Sequence, residues 1–221
     1  MSILQIGSTV TGFDNAMPTS LTVSYTQAAG SNRVLLVIVG TEPDATHDSV
    51  TFDGVALTKE ADSFRVAQRR TTLWYLAGPN VTTANIVITL GAAADVGMIA
   101  HSWQEVNQST VFNASAINNN DPPPDSDGNP TITVASAAGE LAIDGFAHDD
   151  ETNPVPAGGQ TELADLNIPG DMQMASSRKD GAAPNVTFDW TMSPNDWTAV
   201  AGSLNPAAPP VVPDQPIQMV M

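Results

Sequence analysis

The chain has no cysteine, so no disulfide framework holds it together. It is also poor in cations: seven Lys and Arg stand against 24 Asp and Glu, a formal net charge of −17 at pH 7. Such a field repels phosphate backbones and anionic lipid, which argues against nucleic acid and membranes as partners. It suits high salt, where self-repulsion is screened, or docking onto a basic partner. Charge of either sign is scarce too, 14% against the roughly 25% usual in soluble domains. The polar faces must come from Thr, Ser, Asn and Gln, which favours strands. No run approaches the ~18 apolar residues of a membrane span. Residues 1–15, MSILQIGSTVTGFDN, lack the basic and apolar regions of a signal peptide. The expectation is therefore a protein made and used without export. Helical periodicity over ten residues is missing throughout.

Period-two alternation is what the chain does have. In residues 70–106, Leu73, Tyr75 and Ala77 alternate with Trp74 and Leu76, and Ile86 and Ile88 with Val87 and Thr89. Met98, Ala100 and Ser102 then alternate with Ile99, His101 and Trp103. Gly-Pro-Asn and Gly-Ala-Ala clusters bound these runs, the pattern of an antiparallel sheet. Residues 3–10 read as a first, edge strand, and 21–25 as a second. Residues 34–39, VLLVIV, show no alternation, which predicts a central strand covered on both faces. Asp53-Gly54 between two short apolar runs predicts a tight hairpin. Residues 59–66 continue as an exposed, charged strand.

The pattern then repeats. Residues 132–134, Ala137-Ala138-Gly139 and 141–146 echo 21–25, Ala28-Ala29-Gly30 and 34–39. Pro-Asn-Val-Thr occurs at 79–82 and again at 184–187, each time followed by a Trp-containing strand. Between the series lies a loop, 118–130, with three successive prolines. A four- or five-stranded sheet alone leaves an apolar face wet, so the two series are expected to interleave into one sandwich with a shared core. The prediction is an all-β, jelly-roll-like antiparallel sandwich. It forms one domain over 1–204, with halves at about 1–117 and 130–204; two tandem domains are the alternative. Residues 205–221, NPAAPPVVPDQPIQMVM, hold five prolines and one charge, and read as an extended arm.

Few residue sets state a chemistry. Asp125, Asp127 and Asn129 have the oxygen density of a calcium loop, but no bidentate Glu follows at the required distance. They are turn residues first, and no cofactor is predicted beyond that calcium option. His148 with Asp149, Asp150 and Glu151 has too few ligands for zinc and reads as a solvated loop. Glu42, Asp44 and Glu105 offer carboxylates for glycoside hydrolysis, yet among 24 acids some pair always looks suggestive. No nucleophile elbow, phosphate-cradling loop or paired-His motif is present. His101 reads as an outward or hydrogen-bonded strand residue, and a non-enzyme is predicted. Trp74, Tyr75, Trp103, Trp190 and Trp197 suit a sugar-stacking platform or, more simply, a core. Asn80, Asn107, Asn113 and Asn185 match the glycosylation pattern, which carries little weight without export.

The runs AAGSNRVLLV at 28–37 and SVTFDGVALT at 49–58, followed by Leu73-Trp74-Tyr75-Leu76, resemble β-sandwich domains of tailed-phage virion proteins and of uncharacterised bacterial surface proteins. The resemblance covers about residues 20–106, more faintly the second half, and brings no catalytic motif. It implies a virion structural protein, made in the host cytoplasm, most simply a capsid decoration protein docking through its termini. Its partners would be other virion or assembly subunits, or copies of itself in a homo-oligomer. Pro209, Pro210, Val211, Val212, Ile217, Met219, Val220 and Met221 are the residues expected to make those contacts. The rival expectations are a glycan- or receptor-binding adhesion module of a tail fibre or cell surface, and a filament subunit that assembles by strand addition.

Overall fold

The computed structural model describes residues 2–119, 129–149, 153–170, 172–193 and 196–209. The protein is all-β, and among the described residues there is no helix. The first strand series comprises β1 (Leu4–Asp14), β2 (Ser20–Thr26), β3 (Val34–Glu42), β4 (His47–Phe52), β5 (Val55–Ala56), β6 (Thr58–Arg65), β7 (Arg69–Ala77), β8 (Thr83–Leu90) and β9 (Asp95–Gln104). The second comprises β10 (Phe112–Asn119), β11 (Thr131–Ala135), β12 (Leu141–His148), β13 (Val155–Pro156), β14 (Thr161–Ile168), β15 (Met172–Asp180), β16 (Asn185–Thr191) and β17 (Trp197–Leu204).

Each series builds the same pair of antiparallel sheets. The first gives β1-β9-β3-β7-β6 and β2-β8-β4-β5, and the second gives β10-β17-β12-β15-β14 and β11-β16-β13. The expected interleaving therefore does not occur: every sheet comes from one half. The wet face is removed another way. The two five-stranded sheets pack on each other, and each carries its smaller sheet on the outside. Three apolar layers result. Leu35, Val37, Val39, Phe52 and Ile88 fill the first sandwich, and Phe146, Phe188, Trp190 and Trp197 the second. Leu36, Ile38, Leu73, Ile99, Ile143 and Val200 fill the central layer. This is why residues 34–39 do not alternate. Odd positions face the outer core, even positions face the other half, and all six are inaccessible to solvent.

Local features follow the sequence. Asp53 and Gly54 both adopt positive φ, 51° and 74°, as a two-residue hairpin turn requires. The charged strand β6 is only half exposed: Ala61, Ser63 and Arg65 point inward. His148 is not on a solvated loop. It is the last residue of β12, fully buried between its strand partners Gln173 and Trp197.

Candidate interaction surface

The registers show how the halves face one another. Val34 pairs with Trp103 and Leu141 with Leu204, so Ile38 and Gly145 hold the same position in the two halves. They also touch: a Cβ on Gly145 would lie 2.6 Å from Ile38 Cδ1. Gly40 likewise faces its own counterpart Ala147, 3.2 Å from a built Cβ. Thr71 bonds Thr198 Oγ1 at 2.7 Å, and their counterparts Met174 and Gly97 meet in the same way. The halves are thus related by a pseudo-twofold running along β3 and β12, the arrangement of an isologous dimer within one chain.

At one end of that axis lies a charged seam. Glu42 and Asp149, again counterparts, both approach Arg69 Nη2, at 3.4 and 3.7 Å. Arg69 also donates to the Asp196 carbonyl at 3.0 Å, and Arg65 pairs with the Asp196 carboxylate. Both guanidiniums are buried. Arg69 takes the place that Met172 holds in the second half and separates two acids that would otherwise repel.

Four of the five remaining cations are engaged too. Arg33 bonds the carbonyls of Gly30 and Pro79, Lys59 and Arg70 share Asp62, and Lys179 bonds the Thr187 carbonyl. Among the described residues only Glu42, Asp62, Asp149 and Asp196 are seen in ion pairs, and with 24 acids against seven cations the protein carries a strongly negative field.

The opposite end carries the root of the arm. Asn205 donates its backbone N–H to the Val111 carbonyl, and its own carbonyl accepts from Asn107, both at 2.9 Å. Pro206 bridges Val106, and Ala207 N–H bonds the Glu105 carbonyl at 2.8 Å. Residues 205–207 are therefore bonded to the body. Ala208 and Pro209 are exposed. Pro210, Val211, Val212, Ile217, Met219, Val220 and Met221 lie outside the described residues.

The other candidates separate. Asp125, Asp127, Asp150 and Glu151 lie outside the described residues. Asn129 Oδ1 accepts the Met192 N–H at 3.3 Å, so it serves the chain. No group of three or more His, Asp or Glu among the described residues is placed to hold a metal ion. All four Trp are buried and unavailable to stack on a sugar, while Tyr75, half-buried, meets Phe112 edge to face. His101 is fully buried, its Nδ1 accepting from Trp103 Nε1 at 2.8 Å, and burial lowers its pKa to about 3.

Asp144 belongs to none of the motifs read in the sequence. It is fully buried in the second sandwich, where it accepts from Ser177 N–H at 2.8 Å, Ser177 Oγ at 2.7 Å and Trp190 Nε1 at 2.7 Å. Burial nevertheless raises its pKa to about 6. The only signal was an Asp inside an otherwise apolar strand run.

Fold and surface together define a strongly acidic all-β protein of two packed sandwiches, with residues 205–207 bonded to one end. Comparison with protein families, curated proteins and solved structures finds no match for the chain.

Proposed function

We propose that this is a non-enzymatic virion structural protein, a capsid decoration protein that docks through its arm. The observation that carries the reading is the anchored arm root. Residues 205–207 are bonded to the corner between β9 and β10, so whatever follows Pro209 leaves the body from a fixed point. The following run is rich in proline, cheap to order and tipped with apolar residues, which fits a fastener. The acidic surface adds selectivity, since it disfavours unspecific contact between copies and favours a basic acceptor.

The test removes residues 210–221 and keeps 205–209. Sedimentation velocity and electron microscopy of the full and shortened chains, alone and with virion shells lacking this protein, compare their assembly. The shortened chain is expected to stay folded and to lose assembly. Undiminished assembly would remove the fastener reading.

A further inference from the structure

We propose that the two halves of the chain exchange between copies, the first half of one molecule packing on the second half of another in a domain-swapped dimer. The partner is a second copy of this chain, and the surface it meets is the central apolar face. The inference is independent of the reading of residues 210–221 as a fastener.

The halves are separable units of the fold. The chain crosses from one to the other once, through residues 105–111 between β9 and β10. Each of the four sheets joins strands of one half only. The halves are held together by the central apolar layer, by side-chain bonds such as those of Thr71 and Arg69, and by the backbone bonds of residues 205–207. All of these form equally well between two copies. The surfaces also select the pairing, because Ile38 meets Gly145 and Gly40 meets Ala147. By the pseudo-twofold, first half on first half would set Ile38 against Ile38 and Glu42 against Glu42. Second half on second half would leave Gly145 facing Gly145 and Asp149 facing Asp149. Only unlike halves fit, so exchange closes as a dimer with both central layers filled.

The linker supplies the hinge. Glu105, its first residue, has a φ of 61°, a left-handed conformation that is unfavourable for a residue carrying a Cβ. The fold of a half does not require it. Trp103 and Leu204 are counterparts, so the position of Glu105 is taken in the second half by Pro206, whose ring fixes φ at about −65°. The positive φ therefore belongs to the turn that folds the second half back onto the first. A short hinge under strain invites exchange, because straightening it relieves the strain while every other contact is remade with the second copy. The Val106 N–H keeps its bond to the Asn32 carbonyl within the first half, and the Glu105 carbonyl accepts instead from Ala207 of the second copy. Two strongly acidic bodies are newly brought together only around the hinges. Salt, which screens their repulsion, and high protein concentration favour the dimer.

The absence of cysteine gives a direct test. Thr71 and Thr198 are fully buried and face each other across the halves, their hydroxyls 2.7 Å apart. Thr71→Cys and Thr198→Cys are made in separate full-length chains, unfolded, refolded together in about 1 M salt and oxidised once folded. In closed monomers the two thiols lie inside different molecules and cannot meet, whereas in the exchanged dimer they touch. The proposal expects a T71C–T198C heterodisulfide from the mixture and none from either variant alone. No heterodisulfide, with the T71C/T198C double variant closing its bond within one chain, overturns it. Sedimentation velocity tests the hinge without cysteine. Glu105→Gly, which relieves the turn, should lower the dimer-to-monomer ratio roughly tenfold, and Glu105→Pro, copying Pro206, should raise it as much. Equal ratios in wild type and both variants, or monomer throughout, overturn the proposal. The chain lacking 210–221 should exchange as the full chain does. If its dimer disappears, those residues and not the exchanged halves join the copies, and the proposal falls while the fastener stands.

Discussion

Ile38 occupies the space that Gly145, its own counterpart in the second half, leaves empty. Two isoleucines at this pseudo-twofold position would collide, since even one added Cβ lies 2.6 Å from Cδ1 and 2.8 Å from Cγ2 of Ile38. Gly145→Ala should therefore cost about 1–3 kcal/mol through overpacking. Ile38→Ala in the same chain should recover part of that loss. Denaturant unfolding of the single and double variants gives the coupling, and strict additivity would mean the two side chains do not compete for space.

Leu36 faces the central layer and is fully buried. Leu36→Ala should cost about 2–5 kcal/mol. A measured loss below ~0.5 kcal/mol would mean that the central layer is not packed.

Asp144 makes stability depend on pH in the unusual direction. Its folded pKa, about 6, lies above the ordinary 3.8, so between those values the native state binds more proton than the unfolded chain. Its contribution is greatest below pH ~4 and is lost as pH rises through ~6, a change of about 3 kcal/mol. Asp144→Asn keeps an acceptor for Trp190 and removes the titration. The stability difference between wild type and D144N, followed from pH 4 to 7, should fall by that order. A flat difference would show that the hydrogen bonds from Ser177 and Trp190 offset the cost of burying the charge.

Arg69→Met copies the residue found in the second half and leaves Glu42 and Asp149 without the cation between them. Both acids reach solvent, so the expected loss is about 1–3 kcal/mol, below that of a fully buried pair. It should shrink in 1 M salt, where the acids repel less. A loss unchanged by salt would assign the effect to packing of the Arg69 stem.

Two truncations separate body from arm. Removing 210–221 should leave the unfolding midpoint in place. Removing 205–221 also breaks the bonds at Val111, Asn107 and Glu105 and should cost about 1–3 kcal/mol. Equal midpoints for the two chains would show that 205–209 add nothing to the fold.

Much of this was legible in the chain itself. Alternation places side chains on opposite faces of a strand, so strand class, repeat and edge position follow from period two. Asp53-Gly54 is legible because few residues tolerate the positive φ of a tight turn. VLLVIV declared two covered faces, but not what covers the second. That depended on contacts between halves more than a hundred residues apart. The small residues Gly40, Gly97 and Gly145 look like strand weaknesses in sequence, and only the pseudo-twofold makes them sockets for Met174 and Ile38. His148 reads as solvated because Phe146, Gln173 and Trp197, which bury it, come together only in the folded second half. The bonding of residues 205–207 to the loop between β9 and β10 required the fold. Local pattern encodes which way a side chain points; what it meets there is set by a partner surface, and periodicity carries no record of that.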